Sequence, residues 1–216
     1  MDHRVVFLGN QRCALYSGAN RCTLPLYDRR VEYLEVDNNA NTFIDTGILP
    51  SNSISIVAQI QVLDNYYGFL FEGGNSAISA ELGFILIGLN NAAQFRYGDS
   101  SVSLSQITYP SEPFIISSLD NPRILVVNGT NFSVVSNTFS SQNSIYLFGL
   151  HRNGITSGSG KNFRVYYFKI YNSGTLVRDF IPVRQNDIGY MYDRVSGKLF
   201  ANAGTGNFIL GPDITD

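Results

Sequence analysis

Nine residues, Ile54 to Val62, alternate almost without fault. Ile54, Ile56, Ala58, Ile60 and Val62 fall on one side of an extended chain, and Ser55, Val57, Gln59 and Gln61 on the other. A period of two held over nine residues is the signature of a half-buried strand, because apolar positions in a helix recur every three to four residues. Further strand signals follow at short intervals: Tyr67 to Phe71, Gly83 to Gly88, Gln94 to Tyr97, Phe114 to Ser118 and Ile145 to Leu150. Phe163 to Tyr171, Leu176 to Val183, Ile188 to Tyr192 and Lys198 to Ala201 complete the series. On the Phe163 strand, Tyr166, Phe168 and Ile170 share one face and read as core.

One hairpin is explicit. Arg123 to Val127 runs into Asn128-Gly129, and Phe132 to Val135 runs out. Asn-Gly accepts the positive φ angles of a tight turn, so the two runs are antiparallel neighbours. The composition agrees: 15 Phe and 13 Tyr favour pleated surfaces, and 20 Gly supply turns. With 44% hydrophobic and 15% charged residues the chain has ample material for a core. Many short strands with no helical connectors and no fixed-period repeat predict an all-β sandwich or barrel.

The charge is nearly balanced, 15 Lys and Arg against 17 Asp and Glu, with no block of one sign. That pattern gives no support to phosphate-backbone contacts, so no nucleic-acid partner is expected. Near the N-terminus Val5, Val6, Phe7 and Leu8 are too few for a signal-peptide core or a membrane span, and synthesis in the cytoplasm with no membrane span is the expectation. Cys13 and Cys22 read as two free thiols, with a disulfide closing the short loop between them as the alternative. With His3 and His151 as the only histidines, neither a metal site nor a cofactor is expected.

The first thirty residues differ from the rest. They are polar and glycine-punctuated and close on Arg29-Arg30, with short apolar patches at Val5 to Leu8 and Leu24 to Tyr27. They read either as an arm folded onto its own domain or as an arm docking on another subunit, since short apolar strands invite β-augmentation. The division is therefore an N-terminal arm over residues 1–30 and a sandwich domain over 31–216, with Val5, Val6, Phe7 and Leu8 as the docking candidates.

The second half resembles a known family. Ile145-Tyr146-Leu147-Phe148 and Phe163 to Tyr171 look like its paired back strands. They are followed by Leu176 to Arg184, Gly189-Tyr190-Met191-Tyr192-Asp193 and Ser196 to Gly206. Val31 to Glu35 and Phe43 to Gly47 fit its opening strands. Over residues 31 to 212 the chain is similar to the concanavalin A-like, laminin-G-like jelly-roll modules of bacteriophage virion proteins and gut bacterial surface proteins. The resemblance implies a two-sheet antiparallel jelly-roll sandwich, often binding glycans at its loops or concave sheet.

Motifs for chemistry are sparse. Glu32 and Glu35 point to opposite faces of a strand, Glu35 and Asp37 share a face without a third acid, and Glu72 and Glu81 stand alone. Glycoside cleavage requires two carboxyls at a set separation. No G-x-S-x-G elbow accompanies His3 or His151, and Gly158-Ser159-Gly160-Lys161 lacks the spacing of a phosphate loop. Asp64-Asn65 and Asp99 are the only openings for calcium, and no D-x-D-x-D-G run joins them. Asp179 and Asp193 read as turn anchors. Loops of sugar-site composition are Tyr66-Tyr67-Gly68, Gly73-Gly74-Asn75, Asn90-Asn91, Tyr97-Gly98-Asp99 and His151-Arg152-Asn153, each also composed like an ordinary turn.

The resulting expectation is a non-enzymatic virion surface protein of a bacteriophage, capsid-decorating or fibre-like. It would attach to other virion proteins through its arm and adhere weakly to host-surface glycans. The alternative is a carbohydrate-binding or adhesion module on a gut bacterial cell surface.

Overall fold

The computed structural model describes residues 4–8, 11–15, 27–36, 41–63, 68–75, 81–87, 92–104, 112–135, 138–153, 155–158 and 163–215. Every regular element among them is a strand. In chain order these are β1 (Arg4–Leu8), β2 (Gln11–Leu15), β3 (Arg29–Arg30), β4 (Leu34–Glu35), β5 (Ile44–Asp45), β6 (Ile54–Val62) and β7 (Gly68–Gly74). Next come β8 (Glu81–Ile87), β9 (Ala92–Gly98), β10 (Ser100–Ser103), β11 (Phe114–Ser117), β12 (Ile124–Val127), β13 (Thr130–Ser133) and β14 (Tyr146–Leu147). The last are β15 (Gly149–Arg152), β16 (Ile155–Gly158), β17 (Phe163–Asn172), β18 (Thr175–Gln185), β19 (Ile188–Asp193), β20 (Lys198–Phe200) and β21 (Ile209–Leu210).

Two large sheets form a sandwich. One runs β13-β12-β11-β6-β17-β18-β19-β20 with β3, β4 and β21 added. The other runs β10-β9-β8-β7-β14-β5 with β15 and β16 added. Among the described residues pairing is antiparallel apart from a single parallel contact, Arg152 with Gly74. The chain passes back and forth between the sheets, β3–β4, β5, β6, β7–β10, β11–β13, β14–β16 and β17–β21 alternating between them. That winding makes the sandwich a jelly roll, as expected.

The core follows from the alternation in β6. Ile56 lies opposite Ile170, Ala58 opposite Phe168 and Ile60 opposite Val165, and all six are buried. Ala58 leaves room for the Phe168 ring, which crosses to Phe71 of the other sheet with centroids 5.4 Å apart. Small opposite large is how two pleated faces interlock at crystal-like density.

Tyr166 does not share the core face. A register shift between Val165 and Tyr167 places an extra residue in β17. Phe163, Val165, Phe168 and Ile170 are therefore buried while Tyr166 and Tyr167 are both half-exposed. Bulges of this kind re-aim side chains and cannot be seen in a strict period of two. Tyr166 instead donates to Gln61 Oε1 at 3.0 Å and meets Tyr33 edge-on.

The Asn128-Gly129 hairpin is present, with Val127 paired to Thr130 and φ angles of 48° and 80° at the two turn residues. The strand expected over Ile145 to Leu150 is broken in two at Phe148, whose φ is 65°. Its N–H bonds Leu70 O at 2.6 Å, and its ring is buried.

The large sheet begins before residue 31. Arg29 and Arg30 pair with Arg184 and Val183. Asp28 donates its N–H to Arg184 O at 3.0 Å, and Tyr27 packs edge-on to Tyr192. Further upstream, among the described residues, β1 and β2 pair only with each other, in a two-stranded sheet of their own. Val5, Val6, Phe7 and Leu8 make up most of β1. Their side chains, and those of Cys13 and Cys22, lie outside the described ones.

The C-terminal motif has a structural job. Ala203 N–H bonds Phe43 O and Thr205 N–H bonds Asn41 O, each at 2.9 Å, and Asn202 Oδ1 accepts from Phe43 N–H at 3.0 Å. A Cβ on Gly204 would overlap the Asn41 carbonyl oxygen. The motif thus holds the approach to β5 in place.

Candidate ligand-binding surface

β14 lies between β5 and β7, with Tyr146 opposite Asp45 on one side and Glu72 on the other. Ile44, Leu147 and Phe71 point into the core. Alternation therefore turns Asp45, Tyr146 and Glu72 to the outer face of the eight-stranded sheet. There Phe43 and Tyr146 stack at 4.6 Å, and Tyr146 and His151 at 4.3 Å, giving three rings in a column. Phe43 and Tyr146 are buried, His151 is partly exposed and Asp45 is open to solvent.

Polar groups converge beside this column. Asp45 Oδ1 accepts from Ser144 Oγ at 2.6 Å and from Gly47 N–H at 2.9 Å. His151 Nδ1 lies 3.2 Å from Ser144 O and 3.4 Å from Ser144 Oγ. Burial first, and then the negative charge of Asp45, hold the Tyr146 phenol above its ordinary pKa, so its hydroxyl keeps its proton as a donor. In nucleophilic triads the imidazole stands between serine and carboxylate. Here the serine is the middle group, between Asp45 and His151. What this arrangement offers to solvent is the exposed Asp45 carboxylate and the partly exposed His151 imidazole, at the edge of a buried ring column.

Glu72 is fully buried and forms an ion pair with Arg152, whose guanidinium lies 5.4 Å over the Phe69 ring. The acid that stood alone in the sequence is held by a cation eighty residues away.

Two of the five sugar-like loops come together here. Arg152 bridges to Gly74, and Asn143 Nδ2 donates to Gly74 O at 2.7 Å. Asn75 spends its amide internally: Nδ2 donates to Ser140 O at 2.8 Å, and Oδ1 accepts from Gln142 N–H at 2.6 Å. Asn75 is thus a scaffold residue, and Gly73 has no room for a side chain against Ser144 and Ile145. His151 and Arg152 close strand β15 instead of sitting in a loop, and Asn153 follows in a left-handed turn with φ 44°.

Of the other three loops, Tyr97-Gly98-Asp99 does not belong to this surface. Tyr97 is buried, donates to Asn52 O at 2.5 Å, and has a phenol pKa pushed up to about 12, chiefly by burial. Tyr66, Tyr67, Asn90 and Asn91 lie outside the described residues, as do Asp64, Asn65, Asp37 and His3. Glu32 is exposed, and Glu35 accepts from Arg164 Nε at 2.6 Å.

Asp179 and Asp193 are turn anchors, as their placement suggested. Asp193 is buried and accepts from Asp179 N–H, Val195 N–H, Ser196 N–H and Ser196 Oγ at 2.8, 3.1, 3.2 and 2.6 Å. Asp179 accepts from Arg194 Nε at 2.9 Å.

Sequence reasoning passed over Phe43, Asp45, Ser144 and Tyr146 as site residues. The signal was their alternation with Ile44, Ile145 and Leu147, which turns them outward. Nothing local told that the two segments meet. Among the described residues no helix is long and apolar enough to cross a membrane. No protein family's sequence profile matches the chain, and no curated protein matches it.

Proposed function

We propose that this protein is a non-enzymatic display module: a virion surface protein of a bacteriophage, capsid-decorating or fibre-like, held by its N-terminal hairpin and presenting the sandwich to host glycans. The observation that carries this reading is the separateness of β1–β2, which among the described residues share no ladder with either large sheet. A two-stranded ribbon is marginal in water by itself, so it needs another surface to hold it. In this reading that surface belongs to a neighbouring virion protein, with Val5, Val6, Phe7 and Leu8 as the contact segment.

The Phe43-Tyr146-His151 column with Asp45 supports the adhesive part. Such a site would bind one sugar weakly, and many copies on a particle would convert that into useful avidity. The same column serves the second reading, an adhesion module on a gut bacterial surface, which differs only in what the hairpin holds. Quantitative mass spectrometry of purified particles and of the envelope fraction from the producing culture separates the two. The expected result is enrichment of the chain in the particles at a copy number comparable with a capsid component. Recovery only in the envelope fraction supports the second reading, and recovery in neither contradicts both.

A further inference from the structure

One edge of the large sheet ends in a strand without a guard. Among the described residues β13 is paired on one side only, with β12. Val134 N–H bonds Arg123 O at 2.8 Å. In an antiparallel ladder, hydrogen-bonded and non-bonded pairs alternate, so Val134, Phe132 and Thr130 direct their backbone groups inward to β12. Asn131, Ser133 and Val135 direct theirs outward, away from the sheet. Their side chains are exposed, Val135 at 88%, while Phe132 and Val134 are buried on the core side.

Natural edge strands are commonly guarded by Lys, Pro or a bulge. The opposite edge of this sheet, β20, carries the exposed Lys198. β13 has no such guard. From Ile124 to Leu150 the sequence contains no Asp, Glu, Lys, Arg or Pro, and the ladder of β12 with β13 is regular.

We infer that this edge binds a second copy of the chain, β13 pairing antiparallel with its own twin about a two-fold axis through Ser133. A two-fold contact through Ser133 sets that residue against its own copy and Asn131 against Val135, so a charge at position 133 would face itself. This edge has none, which is the property a self-pairing strand requires. Ser133 would lie opposite Ser133 of the second copy, Asn131 opposite Val135, and the outward N–H and C=O groups of all three would be satisfied. The two large sheets would then run on as one. A dimer built this way doubles the number of displayed sugar-facing surfaces. The proposal itself stands on the edge alone and does not depend on glycan binding or on a virion.

Sedimentation equilibrium of the full chain, with circular dichroism as the folding check, tests it. At about 100 µM, far above a micromolar Kd, the unaltered protein should sediment at twice the chain mass. Ser133→Lys and Ser133→Glu, both at an exposed position, should each fold and sediment as monomers. Mixed in equal amounts they should recover the dimer, because Lys then faces Glu across the axis. Three results overturn the inference: an unaltered protein that is monomeric, single variants that still dimerise, or folded variants whose mixture stays monomeric.

Discussion

Phe168→Ala is expected to lower the free energy of unfolding by about 3–5 kcal/mol, the cost of emptying a buried aromatic site that cannot collapse. Phe168 is fully buried in β17, with Ala58 opposite it on β6 and Phe180 on β18. Its ring meets Phe71 of the other sheet. Neighbours fixed in two hydrogen-bonded ladders have little freedom to close the space. At roughly 2–4 °C per kcal/mol for a domain of this size, the melting temperature should fall by about 6–20 °C. Tyr167→Ala, one residue away but half-exposed on the outer face, should cost much less. Similar losses for the two variants in urea denaturation would contradict the bulge and the assignment of faces in β17.

The Asp193 clasp should yield the second large effect. The carboxylate accepts four hydrogen bonds, and Arg178 Nη1 lies 3.7 Å from it. Asp193→Ala strands the buried Asp179 N–H and loosens the β19–β20 turn. An orphaned buried donor costs about 1–3 kcal/mol and a lost charged acceptor adds to it, so about 3 kcal/mol is expected in all. Asp193→Asn keeps one oxygen and should fall between alanine and the native residue. Asp213→Ala is the control. Asp213 is bonded twice by Arg184, at 2.8 Å each, but at the exposed rim, where screening leaves such pairs little net worth. Its melting curve should barely move. Equal destabilisation by the two alanine variants would show that the Asp193 network is no more than a surface contact.

Local pattern was enough for much of the fold. β6 is legible because one face is wholly buried and the other is not, and the β12–β13 turn because Asn128-Gly129 tolerates positive φ. What failed to show had physical causes. The bulge at Tyr166 inverts the face of every residue before it, and Phe148 adopts a left-handed angle that its residue type argues against. Arg29-Arg30 read as the end of an arm because they close a polar, glycine-punctuated stretch, yet their backbone completes a ladder with β18. Strand β2 was missed although Gly9-Asn10 stands between it and β1, the spacing of a two-residue hairpin. The candidate site was the least legible part. Asp45 and Ser144 are 99 positions apart, and only the placing of β14 beside β5 joins them.

In the proposed function the N-terminal hairpin holds the protein to a partner while residues from Tyr27 onward form the displayed sandwich. Deleting residues 1–26 and measuring both thermal stability and incorporation into particles tests it most directly. The account predicts a sandwich that melts within a few degrees of the full chain and no longer co-purifies with particles. A truncated protein that aggregates, or melts many degrees lower, would show that the hairpin covers its own domain; one that stays stable and still incorporates would place the attachment elsewhere, and either result contradicts the account.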